Sequence, residues 1–150
     1  MSLKDHVCIC KEGCLTNKTQ SSFSVYSDTT NYRIENTSKK TISKYIVDDC
    51  ILVNLNEDEK CDYLFVVKNG QKEDGYFIEL KGGTVRKAIN QLMNSVSHLK
   101  ANISGALYGR IVCSKFHQAP KIYASNNYIR LKITLNENLE INIGRLLDII

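Results

Sequence analysis

The chain has 150 residues, of which 43% are hydrophobic and 24% are charged, a composition typical of one folded domain with its own core. Its net charge of +4 permits a nucleic-acid partner without requiring one. No apolar run is long enough to span a bilayer and the first residues lack the pattern of a secretory signal, so we expect a cytoplasmic protein without a membrane partner.

The N-terminal segment, residues 1–22, differs from the rest in its cysteines and small polar residues, and we expect it to be loop-like or a short appended element. Four of its side chains, His6, Cys8, Cys10 and Cys14, have spacings that suit zinc, but no second half of a zinc site follows. Reduced thiols are the favoured interpretation. The remaining residues, 23–150, are interpreted as a single domain.

The first half of this domain is predicted to consist of short extended segments. Residues 23–35 suggest two strands around a polar turn, and residues 36–46 fit either a helix or one arm of a hairpin. Residues 48–55 are strand-like. Cys50, Cys61 and Cys113 each lie in apolar surroundings, which favours packed core thiols.

The second half begins with a predicted hairpin. Residues 61–68 and 76–81 are strands separated by turn residues, including Asn69-Gly70. A helix follows Thr84, because apolar residues recur at spacings of three and four from Val85 to Leu99.

Further strands are predicted at 106–113 and 139–144, whereas 126–135 fits a helix or a strand. The order of elements indicates an α/β or α+β domain built on a mixed sheet.

Three charged residues in the hairpin need an explanation, because charged side chains are seldom buried without a partner or a task. Strand alternation places Glu79 and Lys81 on one face, and pairing of the two strands brings Asp62 opposite about position 81. Two neighbouring carboxylates repel unless a cation joins them, and Mg²⁺ or Mn²⁺ suits such oxygen ligands. The alternative is a salt bridge between Glu79 and Lys81 on a solvated strand face.

The segment from CDYLFVV through GYFIELKGGTVRKAINQL resembles the PD-(D/E)xK nuclease superfamily. In this resemblance Asp62 matches the first acid, Glu79 the second and Lys81 the lysine, while Cys61 stands in place of the motif's proline. Gln91 matches a glutamine that some branches have in the following helix, with Lys87 and His98 on the same side. A solvent-facing Gln91 is the alternative. Many members have a further acid on an earlier helix, for which Glu35, Asp48 and Asp49 remain candidates.

The resemblance implies a restriction-endonuclease-like fold, with a mixed central sheet and helices on both sides. It implies a metal-dependent endonuclease or exonuclease that hydrolyses phosphodiester bonds, with DNA favoured as substrate, in restriction, repair or defence. Asp62, Glu79 and the carbonyl of Leu80 would bind Mg²⁺ or Mn²⁺, Lys81 would act on the attacking water, and Gln91 would support Lys81.

Arg86 and Lys87 are among the basic residues that could contact phosphates. A single small domain suggests a homodimer or a larger complex. The second hypothesis is a catalytically inactive nucleic-acid-binding or protein-interaction module of the same fold.

Overall fold

The computed structural model describes residues 21–48, 50–51, 56, 60–81 and 83–150, together with the backbone of residues 15–18. These residues form nine strands, three α-helices and one 3₁₀ turn at Lys100–Asn102. The strands are β1 Leu15–Lys18, β2 Ser22–Tyr26, β3 Asn31–Glu35, β4 Ile42–Ile46, β5 Tyr63–Asn69, β6 Lys72–Lys81, β7 Leu107–Cys113, β8 Leu139–Ile143 and β9 Arg145–Ile149. The helices are α1 Val85–Leu99, α2 Ala119–Tyr123 and α3 Asn126–Thr134.

Six strands form a mixed central sheet in the order β1-β4-β5-β6-β7-β8. Pairing is antiparallel from β1 to β6 and parallel from β6 to β8. A parallel pair needs a crossover connection, and α1 provides it between β6 and β7. The fold class is therefore mixed α/β, as predicted.

The helices that the structure describes pack on one face of the central sheet. The apolar stripe of α1, which includes Ile89, Leu92 and Val96, packs in one cluster with Phe77 of β6 and Ile111 of β7. Side chains of α2 and α3 join the same cluster, for example Ile122, Leu131 and Leu135. Burying this stripe, rather than intrinsic helix propensity, supplies most of the stability of such helices.

A second sheet covers the other face, so the expectation of helices on both sides is wrong for the described residues. Its strand order is β2-β3-β9, with β2 antiparallel and β9 parallel to β3. Alternate residues of these strands, such as Phe23 and Ile34, face Phe65, Ile78 and Val112 of the central sheet. The period-two pattern buries one face of each short strand and leaves the other exposed.

A buried ion pair joins the two sheets. Arg110 of β7 binds both carboxylate oxygens of Asp148 in β9, through Nε at 2.8 Å and Nη2 at 3.0 Å. The hydroxyl of Tyr32 donates to the same carboxylate at 2.8 Å, and the guanidinium lies over the stacked rings of Tyr76 and Tyr108. This bidentate geometry is the strongest form of a carboxylate–guanidinium contact.

Most predicted elements are confirmed, but the loop-like prediction for residues 1–22 is wrong at Leu15–Lys18, which form β1 and pair with β4. The strands expected within 23–35, 61–68, 76–81, 106–113 and 139–144 are present, as is the helix after Thr84. The ambiguous segments resolve into a strand at Ile42–Ile46 and a helix at Asn126–Thr134. The strand expected at 48–55 is wrong at residues 48, 50 and 51, which form turns and a bend, and the other positions of that segment are not described.

Cysteine predictions have mixed outcomes. Cys61 and Cys113 are buried free thiols, as expected. Cys50 is buried too, but it is disulfide-bonded, so its prediction as a free core thiol is wrong. A disulfide was not expected in a reducing compartment. The zinc prediction for His6, Cys8, Cys10 and Cys14 lies outside the described residues.

Candidate functional site

The hairpin of β5 and β6 brings the predicted charged residues together. Asn69 pairs with Lys72, so only Gly70 and Gln71 form the loop, and Gly70 has the positive φ of 64° that a type II′ turn requires. This turn is shorter than the 69–75 loop expected from the sequence. The register therefore pairs Tyr63 with Ile78, which sets Asp62 opposite Glu79 rather than opposite Lys81.

Asp62 and Glu79 are linked through main-chain hydrogen bonds. The N–H of Asp62 donates to Oε2 of Glu79 at 3.1 Å, and the N–H of Leu80 donates to Oδ2 of Asp62 at 2.8 Å. Each carboxylate is thus oriented by the backbone of the other residue's strand. Both side chains lie on the α1 face of the sheet, and Glu79 is only 1% exposed.

Lys81 and Gln91 complete the arrangement that we call the hairpin-end site, which consists of Asp62, Glu79, the Leu80 carbonyl, Lys81 and Gln91. Lys81 Nζ lies 3.6 Å from Glu79 Oε1 and donates to Gln91 Oε1 at 3.1 Å. Gln91 Nε2 donates to the carbonyl of Lys60 at 3.0 Å. Gln91 is therefore a buried residue that positions Lys81, and the solvent-facing alternative is wrong.

Burial makes this site electrostatically costly for its carboxylates. Desolvation, together with the neighbouring Asp62 carboxylate, raises the pKa of Glu79 to about 9, although Lys81 and the Asp62 N–H act to lower it. Desolvation likewise raises the pKa of Asp62 to about 6, opposed by the Leu80 N–H and by Lys81. The site would hold its carboxylates ionised more readily with a cation present.

The oxygen donors suit a hard divalent cation. Asp62 and Glu79 each use one carboxylate oxygen for a main-chain hydrogen bond, which leaves Oδ1 and Oε1 as potential ligands. Because Ile78 O accepts from Asp62 N, strand alternation directs the Leu80 carbonyl to the same edge. In the described part of the chain, no group of three or more His, Cys, Asp and Glu side chains could hold a metal. The site therefore offers two carboxylates and one carbonyl as metal ligands. Such a set suits Mg²⁺, which usually keeps several water ligands when a protein binds it.

The candidates for an additional acid separate clearly. Asp48 is near enough to raise the pKa of both Asp62 and Glu79. Glu35 lies in β3 of the second sheet, where it pairs with Arg33 at 3.4 Å, so it is not part of the site. Asp49 lies outside the described residues.

The two basic residues predicted to bind nucleic acid lie in the first turn of α1. Lys87 precedes Gln91 by one helical turn and is half-buried on the side of the site. Arg86 is exposed and instead lines a cavity of about 210 Å³ with Ser125, Asn126 and Asn127 at the start of α3. His98 is exposed at the far end of α1 and does not reach the site.

Sequence reasoning missed Lys60, which is 5% exposed. Its Nζ donates to the carbonyl of Asp48, and its own carbonyl holds Gln91. Ser95 was missed as well, although its hydroxyl accepts from Cys61 N at 2.8 Å and ties α1 to the start of the hairpin. Lys60 closes a charged turn in the sequence, a context that normally indicates solvent exposure, whereas Ser95 interrupts the apolar stripe of α1 and could have been noticed.

No family model matches the chain, and the searches of curated proteins and of solved structures also gave no significant match. Within the described residues, no helix is both long and apolar enough to cross a membrane.

Proposed function

We propose that the protein is a metal-dependent nuclease that hydrolyses phosphodiester bonds in a nucleic acid, with DNA as the favoured substrate. The observation that supports this most is the convergence of Asp62, Glu79 and Lys81 at one end of the β5–β6 hairpin. The order of elements also supports the resemblance, since β6, which contains Glu79 and Lys81, is followed directly by α1, which contains Gln91.

Asp62, Glu79 and the carbonyl of Leu80 would hold Mg²⁺ or Mn²⁺. The bound ion would lower the pKa of a coordinated water and stabilise negative charge on the phosphate. Lys81, whose Nζ is held by Gln91, would orient or deprotonate the attacking water and neutralise charge that develops in the transition state. Lys60 and Gln91 are positioning residues, because they act through Lys81.

A catalytically inactive module of the same fold is the second candidate. The observation in its favour is that Lys81 already lies 3.6 Å from Glu79 and is bonded to Gln91, so the charges have partners without any ligand. Such a module would bind nucleic acid or a protein without cleaving it.

The test measures two properties of the same purified variants, calorimetric binding of Mn²⁺ and cleavage of plasmid and single-stranded DNA. Asp62→Asn should remove both. Asp74→Asn is the matched control, because Asp74 is also a buried carboxylate of the hairpin but lies at its other end, bonded to Asn69 and to Ala106 N.

A wild-type protein that cleaves no DNA or RNA in Mg²⁺ or Mn²⁺ would favour the inactive module. Mn²⁺ binding that survives Asp62→Asn, or that Asp74→Asn removes equally, would exclude the hairpin-end site as the metal centre.

A further inference from the structure

The acidic and basic residues of the chain are distributed unevenly, and the basic ones are concentrated in the part that contains the helices. Residues 80–136 contain no Asp or Glu. The same stretch has nine basic residues, which are Lys81, Arg86, Lys87, Lys100, Arg110, Lys115, Lys121, Arg130 and Lys132. The rest of the chain has more acidic than basic side chains. The basic stretch includes the three α-helices of the described residues and begins next to the hairpin-end site.

We call residues 114–134 together with α1 the helical layer. Arg86, Lys115, Lys121 and Arg130 are exposed in this layer, and none of them has an ion pair with another described residue. Lys132 is different, because Glu137 binds it at 3.1 Å. Cations that lack protein partners produce a positive surface, which attracts a polyanion and releases its counterions on contact.

This basic surface is continuous with the hairpin-end site. Ser114 N donates to the carbonyl of Lys81 at 3.1 Å, so the segment after β7 starts directly beside the proposed catalytic lysine. At the other side Asn127 donates to Asn90 at 2.9 Å, which joins α3 to α1. The cavity lined by Arg86 and the start of α3 lies at that junction. A bound chain could therefore follow the helical layer to the site.

An aromatic cluster belongs to the same layer. Tyr123 is 45% exposed and contacts Phe116 and Tyr128 edge-to-face, with ring centroids 5.5 and 5.0 Å away. Neither neighbour is stacked parallel on Tyr123, whereas Phe116 and Tyr128 are packed against the core. The ring of Tyr123 is thus fixed by its neighbours while much of its surface stays in water. An ordered, exposed tyrosine among unpaired cations is typical of surfaces on which nucleic-acid bases stack.

We propose that the helical layer binds a single polynucleotide strand, with a base stacked on Tyr123 and phosphates on Lys115, Lys121, Arg130 and Arg86. An unpaired strand is favoured over a duplex because a base in a duplex already stacks on its neighbours and cannot offer its face to Tyr123. An acidic protein is disfavoured, because carboxylates could use the cations but would gain nothing from the tyrosine ring. The inference deepens the proposed nuclease function by naming the form of its substrate.

The test measures fluorescence anisotropy of a labelled 15-nucleotide DNA strand in buffer with EDTA, so that binding is observed without cleavage. Tyr123→Ala should weaken binding about tenfold, while Tyr123→Phe should stay within about twofold, since stacking needs the ring and not the hydroxyl. Lys121→Ala and Arg130→Ala should each reduce the slope of log K against log salt by about 0.7. An RNA strand of the same sequence should bind with the same dependence on Tyr123, because both polymers have phosphates and base faces.

The matched controls lie on the outer face of the second sheet. Tyr26 is 69% exposed on β2, and Arg145 is exposed on β9. Tyr26→Ala and Arg145→Ala should leave affinity and salt dependence unchanged. The proposal is overturned if Tyr123→Ala binds like the wild type, if the duplex binds more tightly than the strand, or if polyglutamate competes as well as DNA.

These outcomes are distinguishable from failure of the proposed function. A protein that cleaves nothing but shows Tyr123-dependent strand binding keeps this inference and loses the nuclease proposal. If the protein cleaves DNA but Tyr123→Ala leaves strand binding unchanged, the nuclease proposal stands and this inference is overturned.

Discussion

Buried charged residues are arranged differently on the two faces of the central sheet. On the face covered by the second sheet, Arg110 and Asp148 form two short hydrogen bonds of 2.8 and 3.0 Å, and Tyr32 adds a third contact to the same carboxylate. On the helical face, Asp62 and Glu79 adjoin each other, and the Lys81 ammonium stays 3.6 Å from the Glu79 carboxylate.

This contrast indicates what each cluster is for. A buried ion pair avoids a large desolvation cost only with good geometry and additional hydrogen bonds, and the Arg110 cluster has both. The hairpin-end site leaves two carboxylates with raised pKa values at a position where apolar residues would be more stable. A structural role explains the first cluster, whereas the second is the cluster for which we propose a metal ion.

Replacing Lys81 tests this contrast with the largest expected effect. Lys81→Met keeps the length of the side chain and removes its charge, so cleavage in Mn²⁺ should fall about 10²- to 10⁴-fold, the usual contribution of an acid–base group. Calorimetric Mn²⁺ binding should remain, because Lys81 is a cation and not a ligand. Loss of Mn²⁺ binding together with cleavage would mean that Lys81 is structural.

Replacing Arg110, on the face covered by the second sheet, should change the stability of the protein and not its activity. Arg110→Met leaves the carboxylate of Asp148 without its cation, and we expect the free energy of unfolding to fall by about 3 kcal/mol or more in urea titrations. Adding Asp148→Leu should recover part of this loss, because the unpaired buried charge is removed. Specific cleavage activity per folded molecule should be unchanged in both variants. A change in activity would show that the two faces are coupled.

Glu79 should make stability fall with increasing pH. The pKa of Glu79 is about 9 in the folded protein, against the ordinary value of 4.5 that applies in the unfolded chain, so the folded state binds the proton more tightly. The contribution of protonated Glu79 to the free energy of unfolding is therefore complete below about pH 4.5 and is lost as the pH rises towards 9. Asp62 adds a smaller loss between 3.8 and about 6.

Glu79→Gln removes this titration. In EDTA at pH 8 the variant should unfold about 2–4 °C above the wild type, which corresponds to about 1 kcal/mol in a chain of this size. The two proteins should converge near pH 5. A melting temperature that falls at pH 8 would favour the salt bridge between Glu79 and Lys81 as the reason for the charges.

The sequence predicts this site better than it predicts the layers around it. Asp62, Glu79 and Lys81 lie in one hairpin, where strand alternation decides which side chains share a face. The expected register was wrong by two residues because Asn69 and Lys72 pair directly across a two-residue turn, which composition alone does not determine.

Contacts between distant segments were not predictable in this way. The second sheet was missed because β9 pairs with β3, although more than a hundred residues separate them and each strand has only five residues. Lys60 was missed for a related reason, since its burial depends on Asp48 and Gln91 from other elements. Local periodicity gives no information on such partners.

Thr84 offers the smallest and most specific test of the basic helical layer. It precedes α1 but makes no side-chain capping bond, and the first turn of α1 has no acidic residue. Thr84→Asn and Thr84→Asp should each stabilise α1 by about 0.5 kcal/mol, because both are better caps than threonine.

Only the aspartate adds a negative charge beside Arg86 and the hairpin-end site. Thr84→Asp should therefore weaken binding of the 15-nucleotide strand severalfold at low salt, whereas Thr84→Asn should not. If both variants weakened binding of the strand equally, the cause would be the changed side-chain shape at position 84 and not the added charge. The absence of acidic residues from residues 80–136 would then need an explanation other than phosphate binding. If the two variants differ as expected, the missing carboxylate cap is a stability cost that keeps this surface positive.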